Sequence, residues 1–236
     1  MQRYFAIIKD DKVILSNDDT HHVLHVMRMK KDDQIEVVDN GACYLCQIEN
    51  TNPLSIKVLK KIDDEVEIKE KITLLFALSK ADKIEFVIQK ATELGVHRIA
   101  LISTSRSIVK MSKEDFNRKL PRYLKIAKEA SEQCHRNYIP EIVGIYDIRQ
   151  LPKDIYSNIN YVAYEKEKGD TSLTFQNIKQ YSSVSILIGS EGGLSSDEIT
   201  TLKDEGFVTI SLGKRILRAE TAAVYALSVI GYLLEK

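Results

Sequence analysis

A short apolar segment that ends in a glycine-rich turn constrains the fold of this chain more than any other feature. The apolar run Ile186–Ile188 is followed within five residues by three glycines, Gly189, Gly192 and Gly193. Ser195 and Glu198 then have the spacing of a capping box, which marks the start of a helix. An unbroken apolar run of this kind is typical of a strand buried on both faces of a parallel sheet. The segment therefore predicts an α/β domain.

Strands and helices alternate through the last two thirds of the chain. Ile72–Leu78 is predicted as a buried strand, Asp82–Leu94 as an amphipathic helix that ends before Gly95, and Ile99–Ile102 as the next strand. A right-handed crossover onto a parallel sheet is the usual arrangement of such a unit. Further strands are predicted over Ile142–Tyr146, Tyr161–Tyr164, Val184–Ile188 and Val208–Leu212, with a long helix from Ser112 and a closing helix over about Ala219–Leu234.

The first 70 residues have a different pattern, in which short strands are separated by turn signals. Gln34–Val38 alternates with period two, Asp39–Gly41 is a tight-turn signal, and Ala42–Glu49 returns as the partner strand. Asp19 is predicted to cap a short helix over Thr20–Met27. Several short strands with turns between them favour a compact barrel.

A charged run, Lys60–Glu65, is interpreted as the linker between the two patterns. We therefore predict a small β-barrel domain over residues 1–70 and an α/β domain with a mostly parallel sheet over residues 71–236.

Charge is distributed unevenly along a chain whose formal net charge is zero. Between Arg98 and Arg136 there are ten Lys and Arg residues against four acids. Local charge sets the field that a phosphate backbone meets, so this region predicts an RNA-binding surface. No run approaches the roughly 20 apolar residues of a membrane span. Acidic residues follow the start too early for a signal peptide, and the three cysteines form no regular framework, so we expect a cytoplasmic protein that does not bind membranes.

The predicted strand Val208–Leu212 also ends in a glycine loop, which begins at Gly213. Arg218 and Glu220 flank the start of the closing helix that follows this loop. Ligands bind at the carboxyl edge of open α/β sheets, and glycines there let the backbone approach them. A tight turn without function is the alternative for the first loop. A phosphate cradle is less well supported, because no Lys-Ser/Thr pair follows the glycines and the G-x-G-x-x-G fingerprint is absent. Glu220 could also do no more than complement the dipole of the closing helix.

Two cysteines with the C-x-x-C spacing of metal sites, Cys43 and Cys46, lie near His21, His22 and His25. Both cysteines fall inside a predicted strand and not in a metal-binding knuckle or at a helix N-terminus, so we predict neither a metal site nor a redox pair.

Taken together, the two loops carry a resemblance to a known family. Ile188–Gly193 and Leu212–Ala222 closely resemble the 16S ribosomal RNA uridine-N3 methyltransferases of the small subunit, which belong to the SPOUT superfamily of trefoil-knotted enzymes. The resemblance extends over nearly the whole chain, through the segments Lys80–Glu85, Gln89–Val96, Ser105–Ser107, Glu132–Arg136 and, in front, His21–Arg28. Ser190, where many relatives have proline, and Ala219, where threonine is frequent, depart from the pattern without removing a functional side chain.

The resemblance implies a fold, a cofactor and partners. The fold is a knotted, mostly parallel-sheet SPOUT domain preceded by a PUA-like RNA-binding barrel. The cofactor is S-adenosylmethionine, and the partners are 16S rRNA or the assembled small subunit and a second copy of the chain, joined through the knotted domain. The implied cofactor walls are Ala163, Tyr164, Gly189, Glu191, Gly192, Gly193, Ser211, Leu212, Gly213, Ile216 and Leu217.

Catalytic and RNA-binding roles are expected for a further set of residues. Arg218 is the predicted cation that lowers the pKa of the uracil imide, and Glu220 is the weaker candidate for the base. Residues expected to bind RNA are His25, Arg28, Arg106, Arg118, Arg122, Lys125 and Arg136. Two other functions remain open: a knotted methyltransferase that acts on a transfer RNA or a ribose 2′-hydroxyl, and a non-catalytic RNA-binding or assembly factor.

Overall fold

The computed structural model describes residues 1–167 and 177–236, which group into two compact units. The first unit consists of Met1–Glu67 and Ser131–Tyr138, and the second of Ile68–Ala130 and Ile139–Lys236. The sequence predicted a single boundary at residue 70, whereas Ser131–Tyr138, far away along the chain, group with the first unit.

The first unit is built on a six-stranded sheet with the order β1-β4-β5-β6-β3-β2. Its strands are β1 (Arg3–Phe5), β2 (Ile7–Lys9), β3 (Lys12–Ile14), β4 (Gln34–Asp39), β5 (Ala42–Thr51) and β6 (Leu54–Ile62). β1 and β2 lie at the two ends of this order, yet only Ala6 separates them along the chain. The N–H of Ala6 donates a hydrogen bond to the carbonyl of Val38 on β4 (3.1 Å). The sheet therefore closes on itself, as a barrel does, around a core that includes Tyr4, Ile35 and Ile48.

The short helix of this unit, α1 (Asn17–His21), begins earlier than predicted. The cap is Ser16, whose Oγ accepts a hydrogen bond from the backbone N–H of Asp19 (3.1 Å). The prediction that Asp19 caps this helix is therefore wrong, because the helix begins at Asn17 and Asp19 lies in its first turn, where its own N–H group is the one that Ser16 caps. A π-helical turn, His22–Val26, continues the segment.

A polar cluster inside the first unit holds Ser131–Tyr138 against the barrel. Arg3 is 5% exposed. Its guanidinium donates to Glu36 (2.9 Å), Asp64 (2.9 Å), Asn137 Oδ1 (2.7 Å) and the carbonyl of His135 (2.6 Å). A buried guanidinium is stable only when its N–H groups have partners. Arg3 therefore depends on β4, on the residues that follow β6 and on Ser131–Tyr138, which together supply these partners.

Both cysteines of the C-x-x-C pair lie in β5 and are buried. The register of β5 against β6 shifts between Leu45 and Cys46. Burial raises the pKa of the Cys43 thiol to about 11 and that of Cys46 to about 12. Both side chains are therefore neutral thiols packed in the interior.

The second unit alternates strands and helices around a six-stranded sheet with the order β12-β10-β11-β7-β8-β9. Its strands are β7 (Lys71–Ala77), β8 (Arg98–Ser103), β9 (Glu141–Asp147), β10 (Ile159–Ala163), β11 (Ser183–Ile188) and β12 (Phe207–Ile210). Its helices are α2 (Ala81–Glu93), α3 (Lys113–Gln133, which ends in the first unit), α4 (Ser196–Asp204) and α5 (Ala219–Glu235). Each of these strand pairs is parallel, which confirms the predicted α/β class.

Two apolar clusters cover the two faces of this sheet. One contains side chains of α2 and α5 such as Ile84, Val87 and Leu227, and the other contains Ile199 and Leu202 of α4. Because β10 lies between β11 and β12 and all three are parallel, the loops that follow them leave the same edge of the sheet side by side. No helix in the described ranges is long and apolar enough to cross a membrane.

Candidate active site

The loops that follow β10, β11 and β12 enclose a cavity of about 430 Å³. Cavities of roughly 300–1,000 Å³ are typical of small-molecule sites. Every residue that the sequence predicted as a cofactor wall lines this cavity: Ala163, Tyr164, Gly189, Glu191, Gly192, Gly193, Ser211, Leu212, Gly213, Ile216 and Leu217. Their contact with a cofactor stays a prediction, but the fold brings them together.

Several lining residues were not predicted. They include Glu165, Ile188, Ser190, Leu194, Lys214 and Arg215. Glu165 had a sequence signal, because it is a carboxylate directly after the predicted strand Tyr161–Tyr164, whose last two residues were expected to line the cofactor site. The others lie between predicted residues of the same two loops or, as Ile188 and Leu194 do, directly beside them.

The first glycine loop, residues 189–195, is braced by the chain around it. The N–H of Gly193 donates to the carbonyl of Ser190 (2.8 Å). Arg106 Nη1 donates to the carbonyls of Gly192 (3.2 Å) and Leu194 (3.3 Å). A Cβ placed on Gly192 would lie 3.1 Å from the carbonyl oxygen of Arg106, so the loop packs closely against the backbone after β8.

The predicted capping box at the end of this loop is present. The N–H of Glu198 donates to Ser195 Oγ (3.2 Å), and the Glu198 carboxylate accepts from the N–H groups of Ser195 (2.8 Å) and Ser105 (2.7 Å). Burial alone would raise the pKa of Glu198, which is 3% exposed, but these backbone hydrogen bonds outweigh it and the pKa is lowered. Glu198 is therefore an anion that ties the loop to the neighbouring strand end.

Lys83 on α2 connects the two glycine loops. Its Nζ lies 2.7 Å from Glu191 Oε1 in the first loop and 3.1 Å from Glu220 Oε2 at the start of α5. Hydrogen bonds to Glu191 and then Glu220 raise the pKa of Lys83. The carboxylate of Glu220 thus faces a cation and Glu220 does not line the cavity, an arrangement that suits a structural role better than that of a base.

Within the part of the chain that the structure describes, the second glycine loop, residues 211–218, makes fewer hydrogen bonds to distant segments than the first. Ser211 Oγ accepts from the N–H of Gly213 (3.3 Å) and contacts its carbonyl, and Gly213 has a φ of +106° with no atom near its Cβ position. Ile216 lines the cavity although 88% of its surface is exposed. Arg218 also lines the cavity, and among the described residues its guanidinium has no carboxylate partner.

Ser190 provides a direct indication of a ligand. It lines the cavity, is 7% exposed, and its Oγ has no hydrogen-bond partner among the described residues. A buried hydroxyl without a partner is unfavourable by about 1–3 kcal/mol. A polar molecule bound against the first glycine loop would remove that penalty.

The residues predicted to bind RNA fall into two groups, those that are exposed and those whose side chains bind other parts of the protein. His25, Arg28, Arg118, Arg122 and Lys125 are exposed. Acidic side chains lie beside the two arginines of α3: Arg118 Nη2 is 2.6 Å from Asp115 Oδ1, and Arg122 Nη2 is 2.6 Å from Glu85 Oε2. These exposed side chains stay candidates for contact with RNA.

Two of the predicted RNA-binding arginines have other partners. Arg106, as described, donates to the first glycine loop. Arg136 is 4% exposed and donates to Glu67 (2.7 Å) inside the first unit. The prediction that Arg136 grips RNA is therefore corrected, because a phosphate would have to displace a buried ion pair.

Comparison with known proteins places these features in context. Residues 66–231 match the family described as RNA methyltransferase domain, and residues 15–61 match the RNA methyltransferase PUA domain. The chain is 34% identical to the ribosomal RNA small subunit methyltransferase E of Bacillus subtilis (strain 168), covering 100% of this chain and 98% of that protein.

Solved structures show the same similarity. A protein described as a methyltransferase from Legionella pneumophila, solved with the bound cofactor S-adenosylmethionine, is 31% identical with a TM-score of 0.87 over 98% of this chain and 96% of that one. The ribosomal RNA small subunit methyltransferase E of Neisseria gonorrhoeae, bound to S-adenosyl methionine, is 25% identical with a TM-score of 0.85 over 99% and 98%. The predicted fold class, a SPOUT-type domain preceded by a PUA-like domain, is confirmed.

Proposed function

The chain belongs to the RNA methyltransferase family, in the group of ribosomal RNA small subunit methyltransferases E, and from this we propose that it methylates N3 of a uridine in 16S rRNA. The observation that carries the proposal is the cavity at the carboxyl edge of the parallel sheet, where both glycine loops and Arg218 meet. The PUA-like residues 1–70 are proposed to bind RNA, and residues 71–236 to carry the reaction.

S-adenosylmethionine is the cofactor that the cavity is proposed to hold. Two similar structures were solved with it bound. The glycine backbone of residues 189–193, the apolar Leu212 and Leu217 and the unsatisfied Ser190 hydroxyl fit a ligand with an aromatic base and polar substituents. When bound, it supplies an electrophilic methyl group on a sulfonium that is its own leaving group.

The chain's own residues then have to prepare the nucleophile. Uridine N3 carries a proton and attacks poorly until that proton is lost. Arg218, at the mouth of the cavity and without a carboxylate partner among the described residues, is proposed to stabilise the negative charge that develops on a uracil carbonyl oxygen. Glu220 stays a weak candidate for the base, because Lys83 already holds its carboxylate.

RNA methylation by this protein is tested with purified components. Small ribosomal subunits and free 16S rRNA from cells lacking the gene are incubated with the protein and methyl-labelled S-adenosylmethionine. We expect labelled N3-methyluridine by mass spectrometry of the nucleosides, and the better of the two substrates identifies the natural one. Label in a different base, in a ribose 2′-hydroxyl or in transfer RNA alone would contradict the proposal, and binding of rRNA without any label would favour an assembly factor.

The exposed face of α3 is proposed as part of the RNA contact. Arg118, Arg122 and Lys125 are all exposed and follow helical spacing. Reversing all three charges should weaken RNA binding and reduce the slope of log affinity against log salt concentration, because fewer counterions are released. An unchanged slope would place the contact elsewhere.

A homodimer, in a cytoplasmic setting, completes the proposal. Apolar side chains on the outer faces of α5 and α2 support it: Tyr225 is 45% exposed, Tyr232 57% and Phe86 44%. One chain has a mass of 26.9 kDa. Light scattering of the purified protein should give twice this mass, whereas the mass of a single chain would contradict the proposed dimer.

A further inference from the structure

The side chain of Glu165 is a carboxylate that lines the cavity and is not used by the described residues around it. Glu165 lies two residues beyond the end of β10 and is exposed. Its side chain makes no hydrogen bond or ion pair with the residues that the structure describes. This differs from Glu191 and Glu220, which share Lys83, and from Glu198, which accepts two backbone N–H groups. Glu165 is therefore the lining carboxylate whose acceptors are available to a ligand.

The carboxylate of Glu165 lies directly against the first glycine loop. A Cβ placed on Gly193 would be 3.2 Å from Glu165 Oε1 and 3.4 Å from Oε2. Gly193 also has a φ of +69°, in the region that favours glycine. The absence of a side chain at Gly193 thus leaves room for this carboxylate between the loops after β10 and β11.

The order of the strands indicates which part of a nucleoside ligand meets Glu165. β10 is the direct parallel neighbour of β11, the strand that ends in the first glycine loop. In dinucleotide-binding α/β sheets, an acidic residue near the strand beside the glycine loop accepts hydrogen bonds from the ribose hydroxyls. Glu165 occupies the corresponding position here, two residues beyond the strand that lies next to the one ending in the first glycine loop.

Ser190 is a second and independent indication that a polar ligand lies here. Its buried hydroxyl has no partner among the described residues, and it lines the same cavity. Ser190 and Gly193 pair across the turn of the loop, so the Ser190 hydroxyl and the Glu165 carboxylate both border the same turn. A ligand with several hydroxyl or amino groups satisfies both.

We infer that Glu165 accepts hydrogen bonds from the vicinal 2′- and 3′-hydroxyls of the ribose of the S-adenosyl cofactor. This inference rests on the proposed function. The carboxylate is acceptor-only and has two oxygens, which matches two adjacent hydroxyl donors. The residue therefore selects ligands with an intact ribose and takes no part in the methyl transfer.

Binding of S-adenosylhomocysteine, which keeps the same adenosine, tests the inference by calorimetry without turnover. Glu165→Gln should bind it about 10-fold or more weakly, because hydrogen bonds to a charged acceptor are stronger than those to a neutral amide. The 2′-deoxy analogue should bind the wild-type protein about 10-fold more weakly than the parent compound. This penalty should be clearly smaller in Glu165→Gln, whose neutral amide oxygen is the one acceptor that remains. Glu167→Gln is the matched control, since it removes the same charge two residues further on, where Glu167 accepts from Thr209 Oγ1 (2.6 Å).

Each result has one meaning. An equal penalty for the deoxy analogue in wild type and Glu165→Gln, or an equal loss in Glu167→Gln, would overturn the inference while leaving the proposed function intact. Unchanged affinity in Glu165→Gln with slowed single-turnover methylation would also overturn it, and would move the carboxylate to the reaction itself. Failure of the wild-type protein to bind S-adenosylhomocysteine at all would remove the proposed function and the inference together.

Discussion

The two glycine loops that face each other across the cavity are built in opposite ways. The first, residues 189–195, is held by Arg106, by the buried carboxylate of Glu198 and by the ion pair of Glu191 with Lys83. The second, residues 211–218, has the local contact of Ser211 with Gly213 and carries the largely exposed Ile216. We therefore expect one wall of the cavity to keep its shape before a ligand arrives and the other wall to adjust to the ligand.

The largest effect is expected from a side chain in the fixed wall. Gly193→Val places a branched side chain at a φ of +69° and within 3.2 Å of the Glu165 carboxylate. We expect at least about 100-fold weaker binding of S-adenosylhomocysteine in calorimetry, with a native circular dichroism spectrum.

Gly206→Val is its control. Gly206 has a φ of +88° and open space around its Cβ position, so it reproduces the backbone strain away from the cavity. Equal loss of binding in both variants would mean that strain, and not the wall, is responsible.

The second largest effect is expected from Arg218 in the second loop, and it should appear in the rate of methylation. Arg218→Ala should slow single-turnover methylation by about 100-fold, as expected for the loss of one donor to a developing oxyanion, while the affinity for S-adenosylhomocysteine hardly changes. Arg218→Lys should recover part of the rate if charge alone matters. A wild-type rate at saturating RNA would show that Arg218 only binds the substrate.

A third effect measures how much the charge of Glu198, which holds the first loop, contributes to the stability of the folded protein. Its pKa is lowered in the folded protein, so its contribution to stability is present above the unfolded pKa and is lost as the pH falls through the folded value. Glu198→Gln should reduce the free energy of unfolding in urea by about 1–2 kcal/mol at pH 7. The difference from wild type should shrink below pH 4.5. A difference that stays constant with pH would contradict the role of the charge.

The smallest effect should come from the counterpart of Gly193 in the second loop. Gly213→Ala introduces a methyl group at a φ of +106° but meets no atom within 4 Å. Because the added methyl group displaces no described atom, the affinity for S-adenosylhomocysteine should fall about fivefold or less. A loss as large as that of Gly193→Val would show that the two walls are equally fixed.

The same contrast explains what the sequence could predict. The glycine loops, the strands before them and the capping box of Ser195 and Glu198 were predictable, because each depends on residues close together along the chain. The partners of single side chains were not. Neither the ion pair of Lys83 with Glu220 nor the hydrogen bonds of Arg106 to the glycine loop follow from local spacing, because they join segments far apart in the sequence.

Arg136 illustrates the limit most clearly. It was counted in a basic region because of its neighbours, yet it pairs with Glu67 in the first unit. Counting charges along a sequence cannot separate an arginine that faces solvent from one that is already neutralised by a distant carboxylate.

The grouping of Ser131–Tyr138 with the first unit has a consequence for how the chain is made. On the ribosome, the barrel strands emerge first, and the residues that complete the cluster around Arg3 follow only after the intervening residues 68–130. At about 5–20 residues per second, that interval lasts several seconds. During it Arg3 lacks the Asn137 side chain and the His135 carbonyl that it binds in the finished protein. The first unit is thus finished only after Ser131–Tyr138 have been synthesised.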